Sequence, residues 1–400
     1  MEECLPEKDT LAFKLNVNDT LRFSTVVNQK DTIKNVIIGR RKNASFSEEY
    51  KTRNKDRISV EIPNVSELAN IMIAITDVGL RDSNMINLNN TYHADVVNWF
   101  LKFKKEPAIR FLDSIMNNTS NAGKYELYYT MKMYSTCYNM DTEGIFHRDS
   151  SILQMGYPKF FTAYDTHFAS FQQFAQKSDF KLFYNLHKKY YDSLVNIYSD
   201  QIKLRSFKNW LEAQFPNKID HFRITFSPLV RGAHSSIMFT DNNFTTSVIF
   251  VAPIINNVRR STFINNISNS RVVFTEIDHD YSNPVSSKYE KQINDAFENR
   301  NNWADEGKTY FYPSLLSIFD EYMTWSLFTL YCYDHLPKEK LPQVMQLVGD
   351  FMENRRGFKK YKDFDKALLR LYIKEKKGKV VAELYPEIIK WCKDNGYTDK

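Results

Sequence analysis

Glycine is scarce. The 400-residue chain has 11, and the closest pair, Gly349 and Gly357, lies eight positions apart. A dinucleotide fingerprint, a phosphate-binding P-loop and a glycine-flanked nucleophile elbow all need closer glycines, so none of them is present. Cysteine is scarcer still. Cys4, Cys137, Cys332 and Cys392 are widely separated and form no CxxC pair. A cysteine zinc cage or a thioredoxin-type site is therefore unsupported, while sparse cysteines suit either side of a membrane. No run of 18 apolar residues occurs, so no spanning helix is expected. The opening Met1-Glu2-Glu3-Cys4 lacks the basic and apolar regions of a signal peptide. Either the protein is cytosolic or a leader is removed ahead of this start. In the second case Cys4 would suit lipidation, although an ordinary cysteine is the simpler reading.

Charge of one sign is lacking too. With 54 Lys+Arg against 48 Asp+Glu the balance is +6, a mild excess that does not point to nucleic acid. Aromatic residues, by contrast, are abundant. They make up 15% of the chain, enough to fill large cores and to exclude a fully disordered polymer.

The hydrophobic period divides the chain. Leu11, Phe13, Leu15 and Val17 alternate with polar residues, as do Leu21, Phe23 and Thr25, and Ile58 to Ile62 alternates again before Pro63. These predict a small β unit over 1–65, with a polar, mobile loop from Arg40 to Arg57. From Ser66, a plausible N-cap, Leu68, Ile71, Met72 and Ile75 recur at helical spacing. Helical patterns then dominate to about Phe215, where Pro216 intervenes. A second β patch is expected at Phe222–Pro228, Ser236–Phe239 and Thr246–Val251, with a turn at Arg231–His234. Thr246–Val251 is read as an edge strand able to accept an extended peptide. Helices return from about 285 to the end. The fold class is α+β: a small N-terminal β unit, a mainly helical body over 66–335 carrying a small antiparallel sheet, and a helical extension over 336–400. Basic clusters at Arg355 to Lys360 and Lys374 to Lys379 read as solvated faces or turns.

One segment carries chemistry: Thr275-Glu276-Ile277-Asp278-His279. If helical, it sets Thr275 and His279 one turn apart on one face, with Glu276 beside them. Phe274, Ile277 and Tyr281 fall on the opposite, core-facing side. That is the layout of the HExxH zinc helix, in which two histidines hold the metal and the glutamate activates water. Thr275 stands where the first histidine would be. A further ligand would come from a later helix, and Glu321 is placed for it. The same residues from Val272 to Ile277 also fit a strand, and Ser282-Asn283-Pro284 would then be a turn.

This stretch resembles the gluzincin class of metallopeptidases, which use HExxH and a downstream glutamate. It looks closer still to an uncharacterised bacterial group, the domain-of-unknown-function 4932 family. The likeness rests on Ser66-Glu67-Leu68-Ala69-Asn70-Ile71, on Tyr92 to Ile109, on Glu276 to Pro284 and on Glu321, and it covers residues 66 to 335. It implies a metallopeptidase-like hydrolase acting on a peptide or protein. Zinc would sit on His279 and Glu321 at the position of Thr275, Glu276 would be the general base, and the protein would be exported to the periplasm or cell surface. Threonine is a poor zinc ligand. Glu276 could therefore turn inward as a ligand, His234, Asp278 or Asp280 could supply the missing donor, or Glu276, His279 and Glu321 could form a metal-free polar cluster. In that last case the chain is a non-catalytic peptide- or glycan-binding protein on a peptidase-like scaffold. Tyr310 or Tyr312 could serve an oxyanion, or simply pack. The pairs Asp165/His167 and Asp334/His335 offer weaker alternatives, and His187 with Lys188 and Lys189 reads as an exposed face.

Overall fold

The computed structural model describes residues 20–27, 31–38, 43–153, 163–375 and 378–396. Cys4 and the alternating Leu11–Val17 stretch lie outside the described residues. The fold is α+β. Strands β1 (Thr20–Val27) and β2 (Asp31–Ile38) form a separate antiparallel hairpin. Strand β3 (Arg57–Glu61) does not join it. The segment before β3, expected as a loop, holds the helix Glu48–Asn54. Ser47 caps that helix by accepting from the Tyr50 amide at 3.1 Å, and Glu48 and Glu49 face its positive end.

Two short strands, β4 (Tyr138–Met140) and β5 (Phe146–Arg148), pair beside the first helices. The main sheet adds β6 (His221–Phe226), β7 (Ser235–Asp241) and β8 (Phe244–Val251), in the order β3-β6-β8-β7. It is mixed rather than antiparallel: β3 and β6 run parallel, β6 and β8 run parallel, and only β7 and β8 are antiparallel. The reason is topological. A parallel pair needs a long crossover, and the helices between residues 64 and 214 provide one for β3 and β6. Beyond β6 the chain turns away. Val230 bridges to Ile86, so β7 returns beside β8 and not beside β6. Asn242, with φ of 53°, makes the tight turn between β7 and β8. Strand β8 is therefore interior, and the edges are β3 and, on the β8 side, β7. Asn43 occupies part of that edge, donating to the Met238 carbonyl at 2.8 Å and accepting from the Thr240 amide at 2.9 Å.

Around the sheet the helices follow the apolar period. The helix expected from Ser66 runs from Asn64 to Ala74, and all but its first residue are buried. The longest helix, Leu315–His335, is buried on nearly every side. Ser314 and Ser317 cap its start reciprocally, each hydroxyl accepting from the other's amide, at 3.0 and 3.2 Å. Its aromatic residues organise the core. Phe274 lies 5.3 Å from Phe207, 5.4 Å from Phe328 and 5.3 Å from Tyr331. Further along, Phe319 and Tyr322 meet Phe364 from the C-terminal helices, and the Lys360 amide donates to the Tyr322 hydroxyl at 3.1 Å. Helix Asn64–Ala74 spans position 65/66, and helices beyond 336 pack on Leu315–His335. Cys137, Cys332 and Cys392 are buried and unbonded to one another.

Phe274 is fully buried at this junction. Phe274→Ala is expected to cost about 3–5 kcal/mol of stability in urea denaturation. A loss below about 1 kcal/mol would mean that the aromatic cluster does not hold these helices together.

Candidate functional site

The Thr275–His279 segment is helical, not extended. A helix runs from Thr262 to Ile277, Asp278 keeps right-handed helical angles, and a second helix runs from His279 to Ser286. Pro284 lies inside that second helix and does not end it. Its ring nitrogen cannot donate to the Asp280 carbonyl, and Asn217 donates there instead at 2.7 Å. Leu315–His335 packs against both helices and brings Glu321 opposite His279.

His279 Nε2 lies 3.8 Å from Glu321 Oε1. On its other side Nδ1 makes long contacts with Asn283 Oδ1 at 3.3 Å and Thr324 Oγ1 at 3.4 Å. Glu321 Oε2 accepts from Trp325 Nε1 at 3.1 Å and from Arg356 Nη1 at 2.7 Å. Arg356 also donates to the Tyr312 hydroxyl and lies over the Trp325 ring, 4.7 Å from its centre. The guanidinium is thus held by a carboxylate, a phenol and an indole face. The charge of Glu321 keeps Arg356 firmly protonated despite burial.

Arg356 was expected on a solvated basic turn. It faces inward because Phe351–Arg356 is a π-helical turn closed by Gly357 in the left-handed region, with φ of 82°. A side chain at 357 would be strained, and its Cβ would meet Asp305 and Lys308 Cβ atoms at 2.9 Å. Lys132 was also missed. It sits on the helix Asn121–Ser135, is almost wholly buried, and donates to the Ala233 carbonyl at 2.5 Å. Burial lowers it to about 7, partly countered by Glu276. A lone lysine in the run Tyr128-Tyr129-Thr130-Met131-Lys132-Met133-Tyr134 was the available signal.

Glu276 stands among these charges. Burial raises it to about 8, reinforced by Glu321 and opposed by Arg356 and Lys132. That direction favours its protonated form near neutral pH, which can donate a hydrogen bond. The two glutamates therefore differ in kind: Glu321 is paired with a guanidinium, while Glu276 has none bound to it among the described residues.

The remaining candidates lie elsewhere. Thr275 Oγ1 donates to the Val272 carbonyl of its own helix at 3.3 Å, so its hydroxyl is turned to the backbone. Asp280 is tied to the sheet by Ser247 at 2.5 Å and Ser236 at 3.3 Å. Asp278 is fully buried, and burial followed by the charges of Glu276 and Glu321 pushes it well above the carboxylate range. His234 lines a neighbouring cleft. Tyr310 is exposed against Phe311, whereas Tyr312 holds Arg356. Asp334 accepts from Trp210 Nε1 at 2.9 Å and the Tyr372 hydroxyl at 2.5 Å, and His335 Nδ1 contacts the Tyr331 carbonyl at 2.9 Å, so this pair serves packing. His167 stacks on Phe111 at 3.6 Å. His187 is packed against Phe183 rather than lying on an exposed face.

These residues do not fit a zinc ion. A catalytic zinc takes three protein ligands, and among the described residues only His279 and Glu321 of the expected set are in contact. Among the described residues no three His, Cys, Asp or Glu side chains group to hold a metal. The positive charge that Glu321 requires comes from Arg356. No family model matches the chain, and no curated protein or solved structure matches it.

Because the folded-state value of Glu276 is raised, its ionisation opposes folding. The penalty begins above the ordinary value near 4.5 and is complete above about 8. Glu276→Gln is therefore expected to leave the melting temperature nearly unchanged at acidic pH. At alkaline pH it should raise it, by about 1 °C for each kcal/mol relieved in a chain of 400 residues. Melting curves at the two pH values check this, and an equal shift at both would refute a half-buried, protonated Glu276.

Proposed function

We propose that the chain is a non-catalytic binding protein that holds a peptide or glycan at Glu276, His279 and Glu321, without a metal. The observation that carries this reading is the 2.7 Å contact between Arg356 and Glu321. It places a fixed organic cation beside the carboxylate that a metallopeptidase would give to zinc. The surroundings suit recognition. A protonated Glu276 offers a donor, and the half-buried His279 offers donor and acceptor nitrogens. These are groups that bind amides and hydroxyls. The alternative is a metallopeptidase-like hydrolase, which the likeness to the gluzincin class and to the domain-of-unknown-function 4932 family favours. That reading carries with it an exported bacterial setting.

Elemental analysis of the untagged protein, with calorimetry against peptide and glycan libraries, separates the two. The binding reading expects no stoichiometric metal, saturable binding of a peptide or glycan, and no turnover. One zinc per chain, with peptide cleavage abolished by chelation and by Glu276→Gln, would overturn it.

A further inference from the structure

Next to this site lies a cleft of about 220 Å³, between the end of β8, the loop after it and the helix Thr262–Ile277. Its walls contain Arg231, Arg260 and Arg271 and no aspartate or glutamate. The loop is pinned to the helix by two asparagines. Asn265 accepts from the Asn257 amide and donates to its carbonyl, both at 3.1 Å, while Asn269 accepts from the Ile255 amide at 3.1 Å. The cleft is thus held open by its own hydrogen bonds, and those asparagines are already engaged.

Arg271 is the unusual member. Its guanidinium lies 4.1 Å from the centre of the Trp325 ring and 5.2 Å from that of Phe351, but it forms no ion pair or hydrogen bond among the described residues. Two more polar groups in the same wall lack partners. Tyr198 is only 1% exposed, stacks on Phe226, and has a buried hydroxyl with no hydrogen bond. His234 Nε2 is likewise buried and unpaired. A buried donor without an acceptor costs about 1–3 kcal/mol, so the Tyr198 hydroxyl, set in one wall with an unpaired guanidinium, needs an explanation. The positive crowding agrees: burial and the neighbouring Lys132, Arg271 and Arg356 push His234 down to about 3, and burial lowers Arg271 to about 9.

We propose that this cleft binds a compact oxyanion, a phosphate or carboxylate group, on Arg271, Arg260 and Arg231 with the Tyr198 hydroxyl as a further donor. An oxyanion presents several acceptor lone pairs to converging N–H and O–H groups and supplies the missing counter-charge. The inference does not depend on what the Glu276 cluster holds, because it uses different residues.

The test is calorimetric titration of the full chain with inorganic phosphate and, separately, with acetate. Saturable binding of either supports the proposal, and whichever binds tighter identifies the group. Arg271→Gln and Arg260→Gln should each weaken it about tenfold or more. Arg260 lies on the surface, so its variant remains informative if Arg271→Gln fails to fold. The proposal is overturned if neither anion binds at millimolar concentration, or if Arg260→Gln binds as tightly as the parent protein.

Discussion

Two carboxylates on neighbouring buried helices cannot both carry charge unless a cation joins them. In this molecule the cation is Arg356, brought in by the π-helical turn that Gly357 closes. Its contact with Glu321 sets the charge of this cluster. Glu321 is committed to a guanidinium and an indole N–H. Glu276, left without a cation of its own, favours its protonated form near neutral pH. His279 faces a carboxylate already paired. The tyrosine that holds Arg356 from the far side, Tyr312, and the tryptophan beneath it extend the same network into the core.

Much of this arrangement could be read before any coordinates. The spacing of Phe274, Ile277 and Tyr281 marked a core-facing helical side, and all three are buried. Glu321 was put opposite His279 by analogy with the HExxH zinc helix and not by that spacing. The metal did not follow, because spacing says where a side chain begins and not what lies opposite it. Thr275 bonds back to its own helix, which no pattern of residue types reveals. Arg356 was hidden by its neighbours: among Arg355, Lys359 and Lys360 it looked like part of a solvated face. The glycine after it was the readable sign, since a left-handed residue there ends a helix and turns its last side chains.

The sheet teaches a similar lesson. Its strands were legible from alternation, but their partners were not. Pairing Phe222–Phe226 with the next strand in sequence was the economical choice, and local turn chemistry at Gly232 favoured it. What decided otherwise was long-range: β3 had to be covered, and β8, the most continuously apolar strand, took the interior position beside β6. Helices were easier to place because their hydrogen bonds are local. Even so, the asparagine-rich composition of Asn256 to Asn269 does not suggest a helix, yet its second half is one. There Asn265 and Asn269 bond outward to the loop before them and not against their own backbone.

The central claim is that Arg356 is the resident cation of this cluster. A double-mutant cycle of Glu321→Gln and Arg356→Met, read by urea denaturation, tests it most directly. A coupling of about 1–3 kcal/mol between the two positions is predicted. Effects that simply add, within about 0.5 kcal/mol, would contradict it and return the carboxylate to the pool of free ligands.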